Sequence, residues 1–121
     1  MQEIQNAQRK QLGQQRPSGT SPVSLYTLPT DPKGQAWVTS IIICNTTASP
    51  ASWSLYNDTN GSTANESTAL VFGKVLAAND YVILQFDDSI PLITLGATIK
   101  VQTSVANAIT FTAYGLERTI Y

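Results

Sequence analysis

The chain has 121 residues, of which 42% are hydrophobic and 12% are charged, and its formal net charge is −1. This length suits one domain, and the near-neutral charge argues against a protein that binds nucleic acid through electrostatics. The absence of histidine excludes a Ser-His-Asp triad and histidine-ligated metal sites, and the lone Cys44 excludes an internal disulfide. We therefore expect a protein that is not an enzyme and has no cofactor or metal site.

Residues 1–16 differ in composition from the rest of the chain and are predicted to form an N-terminal arm. They hold six of the nine glutamines, whereas all ten aromatic residues lie in 17–121. The arm is mildly basic and the remainder is acidic, which favours contact between the arm and an acidic partner surface. We predict an extended or partly helical arm at 1–16 and a folded domain at 17–121. The candidate partner-binding residues of the arm are Ile4, Arg9, Lys10, Leu12 and Arg16.

The first half of the domain contains three predicted strands separated by turn residues. Residues 23–28 lie between two prolines, and residues 52–56 alternate between apolar and polar side chains. The run at 36–45, AWVTSIIICN, is rich in β-branched residues and apolar on both faces. That pattern predicts a central strand, because only a strand covered on both faces buries such a run.

The second half predicts strands at 69–76, 81–86, 98–103 and 109–114, after a polar loop at 57–68. Gly73 is a candidate bulge, and residues 87–91, which begin with two aspartates, are expected to end the strand before them. Seven or eight short strands without a helical pattern predict an all-β fold. We expect an antiparallel, jelly-roll-like β-sandwich, and a closed barrel of the same strands is the alternative.

The aromatic residues divide into a predicted core set and a predicted surface set. The core set is Trp37, Trp53, Phe72, Phe86 and Phe111. The surface set comprises the tyrosines, which are candidates for subunit contacts or for stacking on carbohydrate: Tyr26, Tyr56, Tyr81, Tyr114 and the terminal Tyr121.

Targeting signals are not recognisable in the sequence. The N-terminus lacks the apolar stretch of a signal peptide, and no apolar run approaches the roughly 18 residues that a membrane helix needs. We therefore expect a protein that is made in a cytoplasm and has no membrane partner.

Several short motifs resemble those of small β-sandwich virion proteins of tailed bacteriophages. They are LGQ at 12–14 followed by Pro17, LYTLP at 25–29, VTSI at 38–41 with Cys44-Asn45, LAAND at 76–80, ANAITF at 106–111 and AYGLE at 113–117. The resemblance spans most of residues 12–117. It implies a virion location and a structural role as a capsid cement, neck or tail-associated protein.

Two functional interpretations follow from the residues and the resemblance together. The first is a capsid cement or decoration protein that docks on the shell, contacts copies of itself and laces to neighbours through its arm. We expect a homo-oligomer, with a trimer as the leading arrangement. The alternative is a tail, neck or fibre component that acts as an adaptor or as a module binding a host receptor or carbohydrate.

Overall fold

The computed structural model describes residues 8–29, 34–58, 64–93 and 96–119. Within these residues, eight strands form two four-stranded antiparallel sheets. The strands are β1 (Gln8–Gln15), β2 (Val23–Thr27), β3 (Gly34–Asn45), β4 (Ala51–Asp58), β5 (Ala69–Leu76), β6 (Tyr81–Leu92), β7 (Thr98–Thr103) and β8 (Ile109–Thr119). A 3-10 turn, Glu66–Thr68, precedes β5. The predicted all-β sandwich is confirmed.

The strand order is that of a jelly roll. Sheet A has the order β1-β8-β3-β6 and sheet B the order β2-β7-β4-β5. The first strand pairs with the last, β2 pairs with β7, β3 pairs with β6 and β4 pairs with β5. The chain is therefore one long hairpin that is folded so that successive strand pairs fall in alternate sheets.

The core lies between the two sheets and uses the inward side chains of the central strands. Ile41 and Ile43 of β3 and Phe111 of β8 are fully buried, as is Leu55 of β4. The Trp53 ring meets the Phe111 ring edge to face, with centroids 6.4 Å apart. β3 lies between β8 and β6, so the central position predicted for the apolar run at 36–45 is confirmed.

One lateral side of the sandwich, formed by β1 and β2, is closed. A Cβ atom on Gly13 would lie 2.1 Å from the Leu25 carbonyl oxygen, so the two backbones approach as closely as glycine allows. The Gln15 side-chain amide donates to the carbonyl oxygen of Ser24 at 3.3 Å. Residues 8–15 are therefore an edge strand of this chain's own sheet A, and part of the expected arm belongs to the sandwich.

The opposite lateral side, formed by β5 and β6, is open as far as the described residues 8–29, 34–58, 64–93 and 96–119 show. Val82, Leu84 and Phe86 of β6 face the core but remain half-buried, as does Val71 of β5. Residues this apolar would be fully buried if another strand or loop covered the gap between the sheets. The open side is therefore where the core reaches the surface.

The connection between β5 and β6 is anchored by Asn45, a fully buried residue at the end of β3. Its amide nitrogen donates to the carbonyl oxygens of Leu76 and Ala77, both at 3.2 Å, and of Ser49 at 2.9 Å. Its amide oxygen accepts from the backbone and hydroxyl of Thr47. The Asn45 side chain thus holds the β5–β6 connection, at one end of the open side, against the central strand β3 of sheet A.

The structure corrects several predicted strand boundaries and confirms a bulge. β3 begins at Gly34, β4 covers Ala51–Asp58, and β8 continues past the predicted end at Tyr114 to Thr119. β6 does not end at Asp87 but continues to Leu92, because residues 86–89 loop out opposite Thr39 and the strand then pairs again. Gly73 has a φ of +65° and lies where the β4–β5 register shifts, so the predicted bulge is confirmed.

Candidate interaction surface

Five large apolar side chains are exposed along the open side, and we call them the apolar edge surface. Leu70, Phe72 and Val75 of β5 are 47%, 59% and 68% exposed, and Tyr81 and Ile83 of β6 are 62% and 48% exposed. The β5 residues lie on the outer face of sheet B and the β6 residues on the outer face of sheet A. Apolar side chains therefore wrap around the rim of the sandwich, which is typical of a protein contact site.

Edge-strand backbone adds to the binding capacity of this side. β5 and β6 are the edge strands of their sheets, and each pairs with only one neighbour in the described structure. An edge strand presents unpaired N–H and C=O groups to solvent, and apolar side chains beside them favour pairing with another chain. The open side thus combines apolar area with free backbone hydrogen-bonding groups.

A shallow groove of about 190 Å³ adjoins the apolar edge surface on the outer face of sheet B. Phe72 forms one wall, and the remaining lining includes Ser52, Ser54, Gln102 and Ser104. Two of the hydroxyl groups that line the groove already accept hydrogen bonds from backbone amides of this chain. Ser54 Oγ accepts from the Gly73 amide at 2.9 Å, and Ser104 Oγ accepts from the Ser52 amide at 2.8 Å.

Three of the arm residues predicted to bind a partner contact other residues of this chain in the structure. Leu12 packs against the core. The Arg16 guanidinium donates to the Asn107 carbonyl at 2.6 Å and to the Thr46 hydroxyl at 3.2 Å. The Lys10 ammonium donates to Glu117 at 2.9 Å.

The other two arm candidates are placed differently. The Arg9 side chain is exposed and makes no hydrogen bond or ion pair within the described ranges 8–29, 34–58, 64–93 and 96–119. Ile4 lies outside the described residues. Arg9 is therefore the one described arm candidate whose charge is free for a partner.

Glu117 is the centre of a small charged cluster that joins the two sheets. The Tyr26 hydroxyl of sheet B donates to one carboxylate oxygen and Lys10 donates to the other. Burial opposes ionisation of Glu117, but the hydrogen bonds from Tyr26 and Lys10 and the lysine charge together lower the pKa of its carboxyl group. Burial, followed by the hydrogen bond to Glu117 and its negative charge, raises the pKa of Tyr26.

Two of the tyrosines predicted to face outward are buried. Tyr26 is 8% exposed, because a register shift between Ser24 and Tyr26 breaks the alternation of β2 and turns the ring inward. Tyr56 is 1% exposed, and its hydroxyl donates to Gln102 at 2.5 Å on the covered part of sheet B. The expectation that these two rings form surface contacts was wrong.

The remaining tyrosines agree with the sequence prediction where they are described. Tyr81 belongs to the apolar edge surface, and Tyr114 is 37% exposed on the outer face of sheet A. Tyr121 lies outside the described residues.

The predicted aromatic core is confirmed only in part. Trp53 and Phe111 are buried, and Phe86 is half-buried against the core. Trp37 lies half-buried on the outer face of sheet A, with the Arg118 guanidinium 5.6 Å from its ring centre. Phe72 was wrongly assigned to the core, because Val71 and not Phe72 is the β5 residue opposite buried Leu55.

Sequence reasoning missed the apolar edge surface, although its residues carried a signal. Residues 69–76, ALVFGKVL, are apolar on both faces. Such a run fits either a strand covered on both faces or an edge strand that leaves one face uncovered. The pairing order of the sheet decides between these, and pairing order is set by contacts that are distant in the sequence.

No helix among the described residues is long and apolar enough to cross a membrane. No protein-family model matches the chain, and no curated protein matches it. Among solved structures the chain is similar to the coat protein of Tobacco streak virus, with 8% sequence identity and a TM-score of 0.47. The match covers 99% of this chain and 90% of that chain.

Proposed function

We propose that this chain is a non-enzymatic structural protein of a tailed-bacteriophage virion, a capsid cement or decoration protein that docks on the shell. The observation that supports this proposal is the apolar edge surface. Five large apolar side chains are costly to leave in water, and two edge strands with free backbone groups favour pairing with another chain, so a permanent partner would stabilise this side. A major capsid protein is the partner proposed here, and assembly takes place in the host cytoplasm.

The composition of the remaining surface fits an assembly that contains many copies. Only 12% of the residues are charged, so little electrostatic repulsion opposes close packing of copies. A shell that offers many equivalent sites makes weak individual contacts effective together, because each bound copy limits the freedom of its neighbours. Residues 1–7 remain the proposed lacing segment, since residues 8–15 are held by β8.

The non-enzymatic part of the proposal is supported by where the titratable groups lie. Catalytic acids and bases are expected in a cleft that a substrate can enter. Tyr26, whose hydroxyl has a strongly raised pKa, is hydrogen-bonded to Glu117 between the sheets, away from the groove. The groove itself is lined by hydroxyl groups, one amide side chain and aromatic rings.

The test is quantitative mass spectrometry of gradient-purified particles from the phage that encodes the chain. We expect the protein at a fixed ratio to the major capsid protein, and we expect particles assembled without it to release their genome at lower temperature. Absence of the protein from washed particles would overturn the proposal. Localisation by immunogold labelling separates the shell from the neck, tail or fibre, which are the alternative positions.

The groove beside Phe72 supports a second candidate function, a module that binds a host receptor carbohydrate. An exposed aromatic ring next to hydroxyl and amide groups is a typical platform for a sugar ring. Tyr56, one of the tyrosines that the sequence made candidates for stacking on carbohydrate, is buried, so Phe72 takes its place in the hypothesis. Chemical-shift perturbation with a panel of host glycans tests it. Shifts confined to the groove that disappear in Phe72→Ala favour the receptor function.

A further inference from the structure

A short acidic segment and a short basic segment lie on opposite edges of sheet A. Asp87 and Asp88 are exposed in the segment of β6 that loops out at residues 86–89, which we call the acidic bulge. Neither carboxylate makes a hydrogen bond or ion pair to any residue that the structure describes. On the other edge, the side chain of Arg9 in β1 is exposed and likewise makes no hydrogen bond or ion pair to any residue that the structure describes.

The register of the sheet places these two segments at the same level. Lys10 is aligned through β8 and β3 with Ile90, and Gln11 is aligned in the same way with Gln85. The acidic bulge falls between those two rows. Arg9 is one row beyond Lys10 and is aligned with Pro91, so its backbone lies between one and two residue spacings, roughly 3.4–7 Å, from the level of the bulge.

The strand directions allow the two edges to meet. β1 and β6 run antiparallel to each other, because each of the three intervening pairs in sheet A is antiparallel. A second copy shifted sideways along the hydrogen-bonding direction therefore presents its β1 antiparallel to β6 of the first. That is the sense of every other pair in the sheet.

Only part of β1 is free for such a contact. Residues 8–11 are exposed, whereas Leu12, Gly13 and Gln15 are partly covered, and Gly13 lies against the backbone of β2. The free part is the part that carries Arg9. The exposure of residues 8–11, the charge of Arg9 and the register of sheet A therefore all indicate the same contact site on β1.

We propose that copies of this chain associate head to tail through sheet A, with residues 8–11 of one copy against the acidic bulge of the next. Arg9 pairs with Asp87 or Asp88 of the neighbour. Such a contact joins two different surfaces, so it forms a closed ring if the rotation between copies closes and an open string if it does not. The inference deepens the proposed structural role, since it names the surface through which neighbouring copies meet.

Tyr81 and Ile83 of the apolar edge surface precede the acidic bulge in β6, and the other residues of that surface belong to β5 of sheet B. They lie outside the two segments 8–11 and 86–89 that form the proposed contact, although they share its lateral side of the sandwich.

The experiment compares self-association of charge-reversal variants of the full chain by analytical ultracentrifugation. We expect the wild type to associate at concentrations up to about 1 mM, the weak end of specific binding. Arg9→Glu and the double variant Asp87→Arg/Asp88→Arg should each weaken association about tenfold or more, because attraction becomes repulsion. Combining all three substitutions should restore association, because the reversed charges attract again.

Controls separate charge pairing from general effects. Lys74→Glu makes the same change of charge on β5, outside the proposed contact, and should leave association unchanged. Circular dichroism melts check that each variant is folded, as expected for exposed positions. Association should also weaken as salt rises, since exposed charges are screened.

Three results would overturn the inference: a wild type that is monomeric throughout, association that is indifferent to both reversals, or a triple variant that does not recover. Association that both charge reversals leave unchanged would indicate that the copies meet through the apolar edge surface instead. The test uses purified chain without particles, so it is independent of the proposed function. A monomer that is still found in virions contradicts only the inference, and an oligomer absent from virions contradicts only the proposed function.

Discussion

Replacing Gly13 with alanine should release β1 from the sandwich, because this position has no room for a side chain. A Cβ atom would stand 2.1 Å from the Leu25 carbonyl oxygen, whereas real Cβ contacts essentially never fall below 3.0 Å. The obstacle is backbone of β2, so relief requires β1 and β2 to separate by about 1 Å. Overpacking of this kind costs about 1–3 kcal/mol.

The assay is urea denaturation followed by tryptophan fluorescence, with amide hydrogen exchange to locate the change. Gly19→Ala is the matched control, because nothing lies within 4 Å of its added Cβ atom. We expect Gly13→Ala to lower the free energy of unfolding by about 1–3 kcal/mol and to speed exchange in β1 first. Gly19→Ala should change it by less than about 0.5 kcal/mol. Equal stability of the two variants would refute the close approach of β1 and β2.

Two further stability predictions concern one half-buried carboxylate, Glu117, and one buried amide, Asn45. The lowered pKa of Glu117 means that its contribution is present above its unfolded pKa of about 4.5 and is lost as pH falls through the folded value. Glu117→Gln should therefore flatten the acid limb of a plot of urea midpoint against pH, and an unchanged limb would contradict the cluster with Tyr26 and Lys10. Asn45→Ala should lower the free energy of unfolding by about 1–3 kcal/mol, because buried carbonyl groups lose their donor. A free energy of unfolding equal to that of the wild type would show that water replaces the Asn45 amide as the hydrogen-bond donor.

The strands of the domain could be predicted because local alternation and turn residues determine them. Residues 69–76 and 98–103 are strands with the predicted bounds. β3 was predicted as central because its outward face is also apolar, and the structure places it between two neighbours. In each case the information lies within a window of about ten residues.

Other features could not be predicted because they depend on contacts between distant segments. The glutamine-rich residues 8–15 have no strand pattern of their own, and they become β1 because β8 offers an edge and Gly13 allows β2 to approach. Tyr26 turned inward because of a register shift in its pairing with β7. Phe72 is exposed because β5 lies at an edge.

The proposed contact between copies also combines features that local sequence predicts with features that depend on distant contacts. The mild basic character of residues 1–16 was visible in the sequence and pointed to Arg9. The sequence also carried Asp87 and Asp88, but as a predicted strand end. Only the continuation of β6 to Leu92 turns them into a bulge that is level with β1.

The central claim is that the open side of the sandwich docks on a virion shell. The most direct measurement is rebinding of purified protein to particles that were assembled without it, quantified by cosedimentation. We predict saturable binding of the wild type and loss of binding in the double variant Phe72→Ser/Tyr81→Ser. Val105→Ser, a change at an exposed apolar residue outside the open side, should bind as the wild type does. Undiminished binding of the Phe72→Ser/Tyr81→Ser protein, or no binding of the wild type, would contradict the account.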